Sequence, residues 1–336
     1  MRILIAVDGS GPSELGRDLA ADARWPDGSS LRVMAALEIG GALFGAPWYA
    51  VVPANVDELE ERYLRELEGI VADGAAHLAR PGLAVTSTVL RGRAATSIVD
   101  EARRFGADLI IVGSRGHGTL EAMLLGSVSA EVVDHAPCPV LVARRPHVRS
   151  LLLADDGSAG ARAAAEKVVG WPIFEGLPVR VVSVAPSSAP WEPSFLTAYE
   201  PTDREIYDER RDAAIEAHQR IADDTARRLT EAGREAVTDV RVGAAAEEIV
   251  SASRDADVDL IVTGTRGHTG IARLVLGSVA RNVVHHARCS VLVVPERTRS
   301  GRLPAIEPAP EAREAVTEAR PAAPETRTAG VSDRRG

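Results

Sequence analysis

The sequence predicts an α/β protein built from two tandem domains, each around a parallel sheet. Three observations carry that expectation. Short apolar runs alternate with longer segments of helical period, the pattern of strand–helix–strand units. The whole order restarts near residue 150, so the repeat is domain-sized and not that of a solenoid. A length of 336 residues suits two domains of ordinary size, each able to bury a core.

In the first half, residues 2–7 read as a buried strand ending at Asp8-Gly9-Ser10. A helix follows over 13–24, stopped by Pro26-Asp27-Gly28. Residues 31–37 are the second strand, and 39–56 a looser insert holding Gly40, Gly41, Pro47, Trp48, Tyr49 and Pro53. The span 57–78 is a long helix with Leu59, Tyr63, Leu67 and Ile70 along one face. Strands at 83–90 and 108–112 flank a helix at 94–105, and 139–143 is the fifth strand. After a short polar linker, 144–149, the order recurs. Strands fall at 151–156, 179–185, 237–242, 259–263 and 290–294, with helices at 159–169, 204–233 and 246–255. The insert recurs at 186–202, again with Trp191 and Tyr199. The expected domains are 1–144 and 150–296, and 297–336 is expected to be a disordered tail rich in Pro, Ala, Glu, Arg and Thr.

Composition narrows the function. The formal net charge is −9 and there is no basic block, which argues against nucleic acid or an anionic membrane as main partner. Lys167 is the only lysine and lies far from the glycine-rich stretches, so a Walker-type phosphate loop is excluded. Cys138 and Cys289 occupy equivalent places without metal-ligand spacing and read as small buried hydrophobes in a reducing compartment. The first apolar run breaks at Asp8, too short for a signal segment, and no run reaches membrane length; the expected location is cytoplasmic.

One motif occurs twice. Gly113-Ser114-Arg115-Gly116-His117-Gly118 leads to Gly126-Ser127-Val128, and Gly264-Thr265-Arg266-Gly267-His268 leads to Gly277-Ser278-Val279. Both copies fit G-x2-G-x9-G-S just after an apolar strand. Glycine there lets backbone approach a ligand. Ser127 and Ser278 are placed to N-cap the next helix, and free N–H groups at a helix start beside a glycine loop favour an anion, most often phosphate. A plain turn is the alternative. Asp8 and Asp156 end the first strand of each half, and ligands of open parallel sheets bind outside strand carboxyl ends where the crossover direction reverses. With strand order 3-2-1-4-5, Asp8 lies beside Gly113 and Asp156 beside Gly264. Each carboxylate can accept from ribose hydroxyls, or, with Ser10 in the first half, merely cap the following helix. Arg115, His117, Arg266 and His268 are the candidates for chemistry, yet no carboxylate pair or Ser/His/Asp set accompanies them.

Ala6-Val7-Asp8-Gly9-Ser10, the repeated G-x2-G-x9-G-S, and His135-Ala136-Pro137-Cys138-Pro139-Val140-Leu141-Val142 together resemble the universal stress protein family in its tandem form. The resemblance covers residues 1 to about 295 apart from the linker. It implies a Rossmann-like, doubly wound five-stranded parallel sheet of order 3-2-1-4-5 in each half. It also implies an ATP site, with or without Mg2+. By position, Gly113, Gly116, Gly126, Ser127 and Val128 would surround ribose and phosphates, Asp8 would meet the ribose, and the backbone of Ala36 would face adenine. In the second half the same roles fall to Gly264, Gly267, Gly277, Ser278, Val279, Asp156 and Val184. Asp155, in the place of Val7, is expected to put negative charge beside the second cradle, at a cost on the order of 1 kcal/mol. The apolar fifth strands are pairing edges, expected to meet within the chain or with a second copy in a homodimer. The functional expectation is a non-catalytic, ATP-binding regulator of the stress response. A slow ATPase or adenine-nucleotide hydrolase using Arg115 or His117, and a nucleotide-free interaction scaffold, are the alternatives.

Overall fold

The computed structural model describes residues 1–38, 56–116, 125–187, 201–267 and 276–296. The first half runs β1 (Arg2–Ala6), α1 (Gly11–Asp22), β2 (Ser30–Leu37), α2 (Val56–Leu78), β3 (Ala84–Arg91), α3 (Ala94–Phe105), β4 (Leu109–Gly113), α4 (Ser127–His135) and β5 (Val140–Ala143). The second runs β6 (Leu151–Ala154), α5 (Ala159–Gly170), a 3-10 turn (Pro172–Phe174), β7 (Val179–Ala185), α6 (Pro201–Glu231), β8 (Ala236–Val242), α7 (Ala245–Asp255), β9 (Leu260–Gly264), α8 (Ser278–His286) and β10 (Ser290–Val294). Helix α1 starts two residues before its expected place because Ser10 takes the cap and leaves Pro12 in the first turn, where a missing N–H costs nothing. The inserts after β2 and β7, with their Trp and Tyr residues, and the expected tail lie outside the described residues.

Each half has the expected order, β3-β2-β1-β4-β5 and β8-β7-β6-β9-β10. The parallel strands are near-continuous apolar runs because helices cover both faces. The two terminal edges find each other: β5 and β10 pair antiparallel, with Leu292 opposite Leu141, Val291 opposite Val142 and Val293 opposite Val140. One ten-stranded sheet results. Neither β5 nor β10 keeps an open edge, so of the two pairings expected for these strands the chain makes the intramolecular one.

The cores are organised by sheet face and not by half. Leu4, Ile110, Val142, Val291 and Ile261 share one apolar layer with α3, α4, α7 and α8. Ile5, Ile111, Leu141, Leu292 and Val262 share the other with α1, α2, α5 and α6. Alternate residues along each strand feed opposite layers, as the pleat requires. Cys138 sits in the first layer at 2% exposure. Burial, reinforced by the charge of Asp108, pushes its thiol up to about 12, and burial raises Cys289 as well. Both are therefore protonated, inert thiols, in keeping with the structural role read from sequence.

The linker is a clamp. Arg149 donates two hydrogen bonds to Asp22 at 2.8 and 2.9 Å, and Arg145 reaches Asp257 and Asp259, each at 2.8 Å. Among the described residues no helix is long and apolar enough to cross a membrane.

Candidate functional site

The turn after β1 builds the first wall. Val7 N–H still bonds Met34 O at 2.9 Å, and Gly9 then takes φ 78° to turn the chain toward α1. Ser10 caps α1, accepting from the Ser13 N–H. Asp8 Oδ1 accepts from Ser10 N–H at 3.0 Å and from the Ser10 hydroxyl at 2.6 Å. In the second half Asp156 Oδ1 accepts from Ser158 N–H at 3.0 Å, and Gly157 takes φ 77°. There the Ser158 hydroxyl turns the other way, donating to the Arg266 carbonyl at 3.2 Å.

The glycine loop builds the second wall. Ser114 N–H bonds Ala143 O at 3.1 Å, and the loop closes on itself through Gly126 N–H to Ser114 O at 2.7 Å. The second copy repeats this with Thr265 N–H to Val294 O and Gly277 N–H to Thr265 O. A Cβ on Gly126 would lie 3.3 Å from Arg115 Cα, and one on Gly116 would run into Asp8 Oδ2. A Cβ on Gly267 would stand 2.5 Å from Asp156 Oδ2. The loop glycines and the strand-end carboxylate, far apart in sequence, thus meet in both halves at the point where the sheet order reverses.

The first glycine of each motif, expected beside the acid, packs against a helix instead. A Cβ on Gly113 would lie 2.6 Å from the Pro12 carbonyl oxygen and 2.8 Å from Ser13 N. One on Gly264 would overlap the carbonyl carbon of Gly160. These glycines let the end of β4 or β9 lie against the first turn of α1 or α5, so the fold demands them whatever occupies the cleft.

One expectation is corrected at the helix starts. Gly126 and Gly277, not Ser127 and Ser278, hold the cap position, with extended backbone (φ −80° and −69°). Ser127 and Ser278 are the first helical residues, and no side chain caps either helix. The reason is the loop closure: the N–H of the capping glycine is committed to the loop, and its α-carbon is pressed on the loop backbone. Ser127, Val128, Ser278 and Val279 are exposed at the mouth. The first intrahelical bonds come later, from Ala130 N–H to Gly126 O and Arg281 N–H to Gly277 O. The preceding amides sit at the positive end of the helix dipole. Ala36 and Val184 lie where β2 and β7 run past the last paired residues of β1 and β6. That places them at the carboxyl-end rim beside the turns of Asp8 and Asp156.

Asp155 corrects a second expectation. It does not face the cleft: the side chain is 4% exposed and lies beneath α6. Its Oδ1 accepts from Gly157 N–H at 2.8 Å and its Oδ2 from the Thr225 hydroxyl at 2.6 Å. Its carbonyl accepts from the Ser183 hydroxyl at 2.6 Å, which leaves His218 Nδ1–H to donate to Ser183 Oγ at 2.8 Å. Neighbouring residues of a strand point to opposite faces, so Asp156 takes the cleft and Asp155 the packed side. The Thr225→Val variant removes a donor from a buried carboxylate and is expected to cost about 2 kcal/mol in urea unfolding. Adding Asp155→Val removes the orphaned acceptor and should recover part of that loss; a double variant less stable than Thr225→Val would refute this account.

Sequence reasoning passed over several residues. Ser129 Oγ donates to Gly113 O at 2.7 Å and pins α4 to the end of β4. Gly160 lets the Arg266 carbonyl pack on the first turn of α5. Arg144, read as linker, reaches into the other half. A small residue opposite a motif glycine is the only one of these signals visible in sequence. Arg115 and Arg266 lie on the loops next to the cleft glycines, whereas His117 and His268 fall outside the described residues.

A cleft walled by a glycine loop, a strand-end carboxylate and a helix start, present twice in one sheet, defines a tandem doubly wound α/β protein. The comparisons with known proteins make the class specific. Residues 1–144 and 147–295 each match the universal stress protein family, and the chain belongs to that family in a two-copy form. A universal stress protein of Mycolicibacterium smegmatis is 26% identical over 313 residues, 88% of this chain and 97% of its own length. One from Thermus aquaticus is 34% identical over 142 residues, 42% of this chain and 97% of its own length. The crystal structure of a universal stress protein from Archaeoglobus fulgidus DSM 4304 shares the fold, with a TM-score of 0.60 at 18% identity, covering 88% of this chain and 98% of that one.

Proposed function

We propose that this protein binds ATP at two cradles and acts as a non-catalytic, nucleotide-dependent regulator in the stress response. One observation carries the reading. In each half the glycine loop is folded down onto the carboxylate that ends the first strand, Gly116 on Asp8 and Gly267 on Asp156. This joins a ribose acceptor to a glycine loop and a helix start with the right dipole for an anion. Asp8 and Asp156 would hold the ribose, and Gly113, Gly116, Gly126, Ser127 and Val128, with Gly264, Gly267, Gly277, Ser278 and Val279, would surround the phosphates. Ala36 and Val184 would offer backbone to adenine. Arg115 and Arg266 supply the nearby positive charge that a polyphosphate needs, with or without Mg2+. Occupancy regulates only by favouring one conformation over another, so the output is a shift in shape or in partners. We place the protein in the cytoplasm.

The test is equilibrium binding of ATP with analysis of what is released on denaturation. About two ATP per chain are expected, falling to about one in Gly116→Val and to none in Gly116→Val/Gly267→Val, because each Cβ displaces the carboxylate that closes its cradle. A protein that binds no ATP, or a double variant that binds as well as the parent, overturns the reading. Steady release of ADP would favour the slow-hydrolase alternative.

A further inference from the structure

The two clefts back onto one seam. Pairing of β5 with β10 brings α4 and α8 together on one sheet face, where Asp134 of α4 accepts from Arg281 of α8 at 2.9 Å. Leu125 and Leu276, each the residue just before a capping glycine, line the same small hollow between these helices. The side chains that directly precede Gly126 and Gly277 therefore border one shared hollow and belong to one apolar layer.

A side chain from the linker also crosses this seam. Arg144 follows Ala143, whose carbonyl receives the Ser114 N–H that opens the first loop. Its Nη2 donates to the Val284 carbonyl at 2.6 Å, in the last turn of α8, the helix whose start forms the second cradle. A cation there complements the negative end of α8. Pro295 holds the matching place after β10 and has no side-chain donor to offer α4. The guanidinium lies within the field of the first loop. Burial pushes it down to about 10; the negative charge Cys289 carries when ionised acts the other way, and the like charge of Arg115 lowers it further.

We propose that Arg144 is a positioning residue that couples the two cradles, so that filling the first weakens the second; this rests on the nucleotide reading above. A polyphosphate beside Arg115 competes with the Val284 carbonyl for the guanidinium. As Arg144 is drawn toward the first loop, α8 loses the cation at its last turn and its grip on the seam. Leu276 and the capping Gly277, at the other end of that short helix, then hold the second cradle less well. Linkage makes the effect reciprocal: ATP in the second cradle weakens the first by the same factor.

The experiment is calorimetric titration of the full chain with ATP, alone and with Gly116→Val or Gly267→Val to isolate each cradle. The second ATP is expected to bind the parent about five-fold more weakly than the isolated sites predict. Arg144→Met should reduce that factor to under about two-fold, and Arg144→Lys, which keeps charge and a donor, should retain most of it. A spectroscopic readout separates coupling from general destabilisation. In Gly267→Val protein the His285 amide resonance should shift when ATP fills the first cradle, and the shift should vanish in Gly267→Val/Arg144→Met while its binding persists. Two independent sites in the parent, or coupling unchanged in Arg144→Met, overturns this inference alone. A parent that binds no ATP overturns the nucleotide reading and this inference with it.

Discussion

Alanine at Gly113 or Gly264 is expected to destabilise the protein by about 3 kcal/mol, the upper range for overpacking a rigid contact. The new methyl would meet backbone, not a yielding side chain: Pro12 O at 2.6 Å and Pro12 C at 2.7 Å for Gly113, and Gly160 O at 2.6 Å and Gly160 Cα at 2.8 Å for Gly264. Relief requires α1 or α5 to lift from the end of its neighbouring strand, which opens the layer holding Leu19, Ile111 and Leu141 in the first half. Gly116→Ala is the control. Among the described residues its methyl meets only the end of the Asp8 side chain, which can swing away, so stability should change by less than about 0.5 kcal/mol while ATP binding falls. Urea unfolding and ATP titration on the same samples separate the two effects. An unchanged midpoint in Gly113→Ala, or a large loss in Gly116→Ala, would contradict the division of labour among the motif glycines.

A charge in the seam is expected to act still more strongly. Leu292 is fully buried, faces Leu141 across the β5–β10 pair, and lies in the apolar layer common to both halves. Leu292→Asp places a carboxylate there with no donor from either strand on that face, at a cost of about 4 kcal/mol or more. Leu141→Ala should cost about 3 kcal/mol, and the loss in the double variant should be less than the sum, because the two side chains share one contact. Loosening the pair also frees the apolar edge of β5, so Leu292→Asp should self-associate more readily in size-exclusion chromatography. A Leu292→Asp protein with the parent's midpoint and elution would mean that the halves are not held together here.

Much of this was legible in the residues. Strand and helix order follow from hydrophobic period, and the described elements fall within a few residues of where period and turn chemistry put them. Combining a strand-end acid, a post-strand glycine loop and a switch point brings Asp8 to the loop at Gly113; the residue of that loop the acid meets is Gly116, because Gly113 is taken up by the first turn of α1. Errors arose where a local rule met a nonlocal contact. Ser127 and Ser278 have the right chemistry for a cap, but loop closure hands that place to Gly126 and Gly277. Asp155 is next to Asp156 in sequence yet faces the opposite side of the sheet, into a hydrogen-bond network with Thr225 of α6.

The sequence by itself determined that the chain is a tandem α/β protein with a glycine loop and an acid at the carboxyl end of each sheet. These are properties of short segments: period, turn residues and motif spacing survive without knowledge of neighbours. The tertiary structure alone decided that β5 meets β10, that Gly113 and Gly264 serve helix packing while Gly116 and Gly267 face the acids, and that Arg144 spans both halves. Each of those depends on which backbone comes within a few ångströms of another from a distant part of the chain, and local sequence holds no record of that.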